Sequence, residues 1–560
     1  MILIEPHDSA DALVTAAHVN TPVARKLFER QVEACGGRLE GDLMLLPLPR
    51  VPTFCARMEA QRQRYEITGI ELEEPNADLV ERALARANEA MARMPAELAL
   101  RPYQFVGIRA LAQGGALGLD SFLLSDDMGL GKTAQALLAI DERTGTIWVC
   151  PASLKFMVVK QARLWRPDLK VTVLSGARSF RWPEPGEIVV LNYELLPGDV
   201  DRTVKRKRID YRAVKNIPAP NPTQDYTLIA DEAHYLTSAG ALRTLRFRAL
   251  RNVATFSGLN RLRSWALTGT EFKNHPGELW VLLTTFGLEH VFESYPTFVF
   301  MLGGLARGAN ASRTQWPDVV KPTHDFIEKL QRVSLKRLKE DHLKIPLVMT
   351  AIPVDVSDKG VIDQCDEVLA FMRERGIDIM TVDSILKEIE RTGMVGMSLL
   401  AKAMAGLAQA KMTAALEVIE AHEAQDLPLV VFSANRHPIE MVGAREGWGV
   451  IHGGITSHEA RERTVEAFQA GQLRGIAGTI GAMGVGHTLT RAAHVLRINL
   501  AWTPADNSQA IDRLRRFGQL KTVVASDLVA NHLLDERVYA TTVRKQGYLD
   551  ATVLAAARRT

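Results

Sequence analysis

The stretch SFLLSDDMGLGKTAQALLAI, residues 121–140, constrains the fold more than any other part of the chain. An apolar run ends at Leu124 and a glycine-containing loop follows. Gly131-Lys132-Thr133 then opens a segment whose apolar residues Leu137, Leu138 and Ile140 continue a helical pattern. In a strand–loop–helix turn of this kind, glycines let backbone N–H groups converge on phosphate oxygens, and the helix start adds partial positive charge. Lys132 is then placed to reach β- and γ-phosphates and the Thr133 hydroxyl to ligate Mg²⁺. Asp127, Met128, Gly129 and Gly131 complete the candidate phosphate loop. The general pattern has glycine five residues before Gly131, where this chain has Asp126.

Ninety-nine residues after Lys132, YTLIADEAHYL carries an apolar run into two adjacent carboxylates. Acids at the C-terminal end of a parallel strand sit where open α/β sheets bind ligands. Asp231 is the candidate to hold Mg²⁺, through water or directly, and Glu232 to orient and deprotonate an attacking water. His234 is placed to link this site to the segment that follows.

Around these motifs, short apolar runs alternate with helical patterns: SFLLSD, TIWVCP, KVTVLSG, EIVVLNY, TLIADE and SWALTGT, then LPLVVFSA, WGVIHGG, LRGIAGTI and AAHVLRINL. Such runs predict parallel strands covered on both faces, hence two α/β lobes separated by a helical stretch. A length of 560 residues suits three or four structural units. The division expected is an N-terminal accessory unit over 1–95, a first lobe over 96–290, a helical insertion and linker over 291–425, a second lobe over 426–545, and a tail over 546–560. Within the accessory unit, GGRLEGDLMLLPLPRVP reads as a hairpin, and Leu79, Ala83, Ala87 and Met91 mark an amphipathic helix.

Composition narrows the classes. Hydrophobic residues are 47% and charged residues 24%, which excludes a mainly disordered chain. The net charge is only +3, so a nucleic-acid surface must come from local clustering. Cys35, Cys55, Cys150 and Cys365 form no CxxC pair, so neither a disulfide framework nor a zinc knuckle is expected. No secretory leader is read in MILIEPHDSA, and no run approaches the roughly 18 apolar residues of a membrane helix. A soluble intracellular setting, bacterial or eukaryotic, is the expectation.

With DDMGLGKT and DEAH in place, the chain resembles the superfamily-two motors, and within them the Swi/Snf class of double-stranded DNA translocases. The resemblance covers residues 100 to about 545 in the order that family uses its motifs. RPYQFVGIRAL resembles the segment in which Gln104 reads the adenine. VCPASLKFMVVKQARLW resembles a DNA-backbone contact, implying roles for Ser153 and Lys155. SWALTGTEFKNHPGELW resembles the stretch coupling ATP state to DNA grip, with Thr268 and Thr270 in it. VSLKRLKEDHLKIP resembles the linker between lobes. IHGGITSHEARERTVEAFQ holds Thr456, Arg461 and Phe468 in family places.

GAMGVGHTLTRAAHVLRINLAWTPADNSQAIDRLRRFGQ resembles the fused last two motifs, in which Gln509 contributes to the nucleotide site. Arg513 and Arg516, read as one helical turn apart on one face, are the implied arginine fingers for the γ-phosphate. Four positions depart from the family: Glu271 stands for proline, Thr237-Ser238 for Lys-Asn, and Lys336 for the first arginine of the linker motif. They leave the phosphate chemistry intact and bear on DNA coupling.

The stripe 241–263 holds Arg243, Arg246, Arg248, Arg251, Arg261 and Arg263 and no acid. It is a candidate track for a DNA backbone, or a solvated helix face, and Arg246 is the residue singled out. A second cluster, DRTVKRKRIDYRAVK, is either a DNA contact or a solvated insertion. Residues 18–62 follow the outline of a module preceding the motor in annealing-helicase relatives, with Gly36-Gly37-Arg38 and Leu46-Pro47 but no Trp before Pro47; an unrelated α+β cap is the alternative.

The expectation is an α/β protein of two RecA-like lobes with parallel sheets, helical insertions and a small N-terminal α+β unit. It binds ATP and Mg²⁺, acts on duplex or branched DNA, and moves along or remodels it, by fork remodelling, strand annealing or protein displacement. Rival readings are a strand-separating DNA or RNA helicase, a binding module without chemistry, and the motor subunit of a larger defence or repair complex.

Overall fold

Six apolar runs between residues 121 and 267, joined by Ser334–Leu335, pair into one seven-stranded sheet whose ladders are all parallel. Its spatial order is Ser334–Leu335, Ser121–Leu124, Leu262–Leu267, Tyr226–Asp231, Gly145–Cys150, Glu187–Asn192 and Lys170–Val173. Four of these strands, 121–124, 262–267, 226–231 and 145–150, are buried along their whole length. That is the burial a sheet covered by helices on both faces demands, and it is why these strands read as unbroken apolar runs.

The structure is a computed structural model. It describes residues 76–540 except 96–97, 116–117, 177–178, 201–213, 257–260, 273–274, 307–313, 318–319, 375–393, 456, 485–486 and 502–503, together with residue 542. Before residue 76 it describes 2–6, 11–16, 37–40, 43–47, 65–67 and the single positions 25, 28, 29, 32, 33, 54 and 58. Thr456, most of the second basic cluster and the tail therefore lie outside the described residues. The chain divides into two compact units, one ending at Leu338 and one beginning at Lys339.

The first unit opens with a five-stranded sheet in the order Arg38–Glu40, Leu43–Pro47, Asp11–Ala16, Ile2–Pro6, Tyr65–Ile67. Arg38–Glu40 and Leu43–Pro47 form the expected hairpin pair. The amphipathic helix follows as Ala77–Arg93 and buries Leu79, Ala83, Ala87 and Ala90. Its outer arginines reach the far end of the helix Lys132–Ala139: Arg86 Nη1 lies 2.8 Å from Glu142 Oε2, and Arg86 Nε donates to the Leu138 carbonyl at 3.3 Å. After the large sheet come Gly277–Phe286, Tyr295–Met301 and His324–Val333, held around the fully buried rings of Phe286, Phe292, Phe298 and Phe326.

The second unit is built on six strands, again all parallel, in the order Leu347–Val354, Val523–Ala530, His494–Arg497, Leu429–Ser433, Gly475–Thr479, Trp448–Ile451. Two parallel α/β lobes of the RecA-like kind and a small α+β unit are thus present. Leu347–Val354 lies within the stretch read from sequence as helical; there the helices are Lys359–Glu374, Met394–Ala410 and Met412–Ala424. Among the described residues no helix is long and apolar enough to cross a membrane.

Candidate functional site

In a parallel sheet the C-terminal ends of the strands share one rim, and in the first unit that rim carries the candidate chemistry. Beyond Leu124 the loop turns through Gly129 (φ 90°) and Gly131 (φ 81°) and enters the helix Lys132–Ala139, with Gly131 as its N-cap. A side chain at Gly131 is excluded twice, because φ is left-handed and an added Cβ would lie 2.2 Å from Gln104 Nε2. Gln104 itself is buried. Its Oε1 accepts from Arg101 N at 2.7 Å, and its Nε2 donates to the Leu130 carbonyl at 3.3 Å, so it braces the crest of the loop.

Lys132 Nζ donates to the carbonyls of Asp126 (2.7 Å) and Asp127 (3.2 Å). Burial pulls its pKa down, and Glu232 and Asp126 pull the other way. Thr133 follows on the first helical turn, half-buried. Asp127 and Gly129 are also half-buried and Met128 is buried.

Asp231 ends the strand Tyr226–Asp231, beside Leu267 of the next strand. Burial first, and then the charge of Glu232, push its pKa up to about 7. Glu232 has φ 53° and ψ 51°, left-handed values for a residue with a β-carbon, and its N–H donates to Asp231 Oδ1 at 3.0 Å. Glu232 Oε2 lies 3.3 Å from His234 Nδ1. The chemistry of this donor set fits a hard divalent cation: two adjacent carboxylates, one at the strand end and one on the turn after it, offer oxygen donors. The acid pair follows strand Tyr226–Asp231 and the loop follows Ser121–Leu124, with Leu262–Leu267 between them, so both lie on one rim of the sheet.

Sequence reasoning missed what holds this site. Asp126, at the position where the general pattern has glycine, is fully buried and paired with Arg337: Arg337 Nε donates to Asp126 Oδ1 at 2.8 Å, and Nη2 also binds Oδ2. Gln135 Nε2 adds a bond to Asp126 Oδ2 at 3.2 Å, and Gln135 Oε1 accepts from Arg337 Nη2 at 2.7 Å. Lys336 Nζ sits 3.1 Å from Asp127 Oδ1, 3.1 Å from the Gly269 carbonyl and 3.8 Å from Glu271 Oε1. Burial alone would lower the Lys336 pKa, but Glu271 and Asp127 outweigh it and raise it; Glu271 is raised by burial, with Lys336 opposing. The available signal was that Glu271 and Lys336 both break one family pattern, which marks a pair.

Of the residues read as DNA contacts, Ser153 and Lys155 follow the strand Gly145–Cys150, and Thr268 and Thr270 follow Leu262–Leu267, so all four lie along the same rim. Lys155 Nζ donates to the Leu174 carbonyl at 3.0 Å. Thr268 is fully buried; its hydroxyl donates to the Thr270 carbonyl and accepts from Thr270 N, which shapes the turn. Arg246 lies within the helix Leu242–Phe256, half-buried. In the second unit Arg461 Nε donates to the Ile455 carbonyl at 2.7 Å.

One expectation is corrected in the second unit. Arg513 and Arg516 do not lie on a helix, because the helix Pro504–Ile511 ends before them. They occupy tight turns, with Leu514 N bonded to the Ile511 carbonyl and Gly518 at φ 96°. Leu514 packs from these turns into the same core as Ala510 and Ile511. Arg513 is buried and donates to the Gly484 carbonyl at 2.8 Å; Arg516 Nη1 donates to Thr488 Oγ1 at 3.0 Å. Gln509 is buried on the preceding helix, and Asp512 pairs with buried Lys339 at 2.6 Å.

A glycine-framed lysine at a helix start, facing a strand-end acid pair on a parallel sheet, defines a P-loop nucleotide enzyme. Residues 103–346 match the SNF2-related domain and residues 410–518 the helicase conserved C-terminal domain, so the chain belongs to the Swi/Snf class of superfamily-two ATPases. It is 26% identical over 473 residues to the human (Homo sapiens) DNA annealing helicase and endonuclease ZRANB3, covering 81% of this chain and 40% of that protein. It is 23% identical over 492 residues to the putative ATP-dependent helicase/translocase YwqA of Bacillus subtilis (strain 168), covering 81% of this chain and 49% of that one. The chain thus spans between two-fifths and half of these relatives' length. A solved Sulfolobus solfataricus SWI2/SNF2 ATPase core in complex with dsDNA aligns with 19% identity and a TM-score of 0.33, covering 82% of this chain and 94% of that one.

Proposed function

We propose that this chain is an ATP-dependent translocase on double-stranded DNA that uses ATP hydrolysis to move along or remodel its track. The observation that carries the reading is that the Lys132 loop and the Asp231–Glu232 pair leave the same sheet at its C-terminal rim, in a chain that matches both domains of the Swi/Snf class. Lys132 leaves the Asp126 and Asp127 carbonyls for the β- and γ-phosphates, and the N–H groups of Gly129, Gly131 and the first helical turn cradle them. Gln104, besides bracing the loop, is assigned the adenine, and Gln509 the nucleotide from the second unit. Mg²⁺, held by Thr133 and Asp231, supplies Lewis-acid charge when bound. Glu232 accepts the proton of the attacking water, and its backbone holds the side chain in the orientation that this needs.

Arg513 and Arg516 are assigned the charge that develops on the transferred phosphoryl group, on the strength of QAIDRLRRFGQ. Ser153, Lys155, Arg246, Thr268, Thr270, Thr456 and Arg461 are the proposed contributors to DNA grip. The same reading builds the two lobes on 96–290 and 426–545, with Ser334–Leu335 added to the first sheet and Leu347–Val354 to the second.

ATP turnover measured against duplex, forked, single-stranded and RNA ligands tests the reading. Stimulation by duplex or forked DNA is expected, whereas stimulation by single strands alone or by RNA alone would replace it with the strand-separating alternative. Turnover that persists in Lys132→Ala or Glu232→Gln protein would refute the assigned site.

A further inference from the structure

The loop that receives a polyanion carries two successive carboxylates, Asp126 and Asp127, and a third, Glu271, comes from the turn after Leu267. Uncompensated, three acids around one phosphate loop repel a triphosphate, and repulsion between part-buried charges is only weakly screened. Two consecutive residues from more than 200 positions later supply the compensation. Arg337 takes Asp126 with two nitrogens, and Lys336 lies between Asp127, Glu271 and the Gly269 carbonyl. The backbone fixes the register of this pairing. The short strand Ser334–Leu335 runs beside Leu123–Leu124, and the ladder continues into the loop: Ser125 N donates to the Leu335 carbonyl at 2.8 Å and Asp127 N to the Arg337 carbonyl at 3.0 Å.

Asp127 is therefore held at both ends of the residue. Its carbonyl is the rest position of Lys132 Nζ, and its carboxylate is gripped by Lys336. Glu271 and Lys336 are the two places near the loop where this chain leaves its family's pattern, and they face each other. We propose that Lys336 is a positioning residue of the ATP site, offsetting Asp127 and Glu271 and fixing the loop from which Lys132 reaches phosphate. The inference rests on the reading that this loop binds ATP.

The test compares full-length wild type, Lys336→Met, Lys336→Arg, Glu271→Gln, Lys336→Met/Glu271→Gln and Lys132→Ala. A fluorescent ATP analogue is titrated without DNA, turnover is measured with duplex DNA, and melting curves establish which proteins are folded. Lys336→Met is expected to weaken analogue binding and raise the KM for ATP about tenfold, with kcat changing less than about threefold, the scale of coupling between contacting charges. Adding Glu271→Gln removes one unbalanced acid and should recover about threefold of that loss; Lys336→Arg keeps the charge and should stay near wild type.

Folded Lys336→Met protein with wild-type nucleotide affinity overturns the proposal. So does a double variant whose loss equals the product of the single losses. If Lys336→Met alone does not fold, binding by Lys336→Arg and by the double variant still decides: a loss of about threefold or less in the double variant, where both side chains of the pair are neutral, supports compensation, and a loss of about tenfold there overturns it. Wild type and Lys132→Ala binding the analogue equally would instead overturn the ATP reading on which the inference stands.

Discussion

Glu232 carries its side chain on a left-handed backbone, a conformation that costs a residue with a β-carbon about 1–3 kcal/mol. Strain of this kind persists where the aim of a side chain matters more than stability. Glu232→Gly is accordingly expected to raise stability by about 1 kcal/mol while lowering ATP turnover by about 10²-fold or more. Melting curves and ATPase assays on one preparation check both halves. The opposite residue-scale case is Gly131, where the conformation is free but the space is not. Gly131→Ala should weaken nucleotide binding, because an added Cβ meets Gln104 and also carries the cost of φ 81°.

Away from the site, Glu187 is buried and bound by both terminal nitrogens of Arg181, by the Thr172 hydroxyl and by Glu184 N. The Arg181 hydrogen bonds, aided by those of Thr172 and Glu184 N, lower its pKa from 4.5 to about 2. A folded-state pKa below the ordinary one contributes stability that is full above about pH 4.5 and is lost as the pH falls through about 2. Glu187→Gln should therefore lower the melting temperature near neutrality and flatten its fall between those two values.

At the scale of elements, the helix Lys132–Ala139 is short and carries Lys132 on its first turn, so its far end has to be fixed. Arg166, almost fully buried, does so: its Nη1 donates to the carbonyls of Leu137 (3.0 Å) and Ile140 (2.7 Å), and Asp168 holds the rest of the guanidinium. Arg166→Met leaves those buried carbonyls without their partner and should destabilise the first unit by about 2–3 kcal/mol, read as an earlier thermal transition.

Most strands that were legible in the sequence are buried along their length, where the core demands apolar residues; Lys170–Val173 was legible although partly exposed. In the two parallel sheets three strands were not legible, each for a local reason. Ser334–Leu335 is too short to make a pattern. Leu347–Val354, LVMTAIPV, is an apolar run, but it is an edge strand with Val348 and Met349 exposed and it lies inside the stretch read as helical. Val523–Ala530 is interrupted by Asp527, which a strand interior tolerates because Arg497 takes it with two nitrogens at 2.6 and 2.8 Å. Within the site, the phosphate loop and acid pair were readable because their chemistry fixes residue types at close spacing. Arg337 and Lys336 were not, since their partners lie some 210 residues away and only the fold brings them together.

At the scale of the whole molecule, the stripe 241–263 is the feature that looked most like a DNA track, and the fold spends most of it internally. Arg243 donates to the Tyr235 carbonyl, Arg251 to Ser264 and Arg261 to Asp120 and Asn76. Arg263 donates to Asn76 and is buried so deeply that desolvation, with Arg261 adding to it, lowers its pKa to about 9. Asn76 begins the helix that follows the N-terminal sheet, so Arg261 and Arg263 bind that helix to the large sheet rather than to a phosphate. Counterion release then separates two kinds of arginine. A phosphate contact contributes about 0.9 to the slope of log affinity against log salt, whereas an internal one contributes nothing. Arg246→Ala should weaken duplex binding evenly across sequences and reduce the slope by about 1. Arg261→Ala should leave the slope unchanged and lower the melting temperature instead. Salt titrations of duplex affinity for the two variants decide the matter: a slope reduced by Arg261→Ala and not by Arg246→Ala would return the inner end of the stripe to the DNA and take Arg246 away from it.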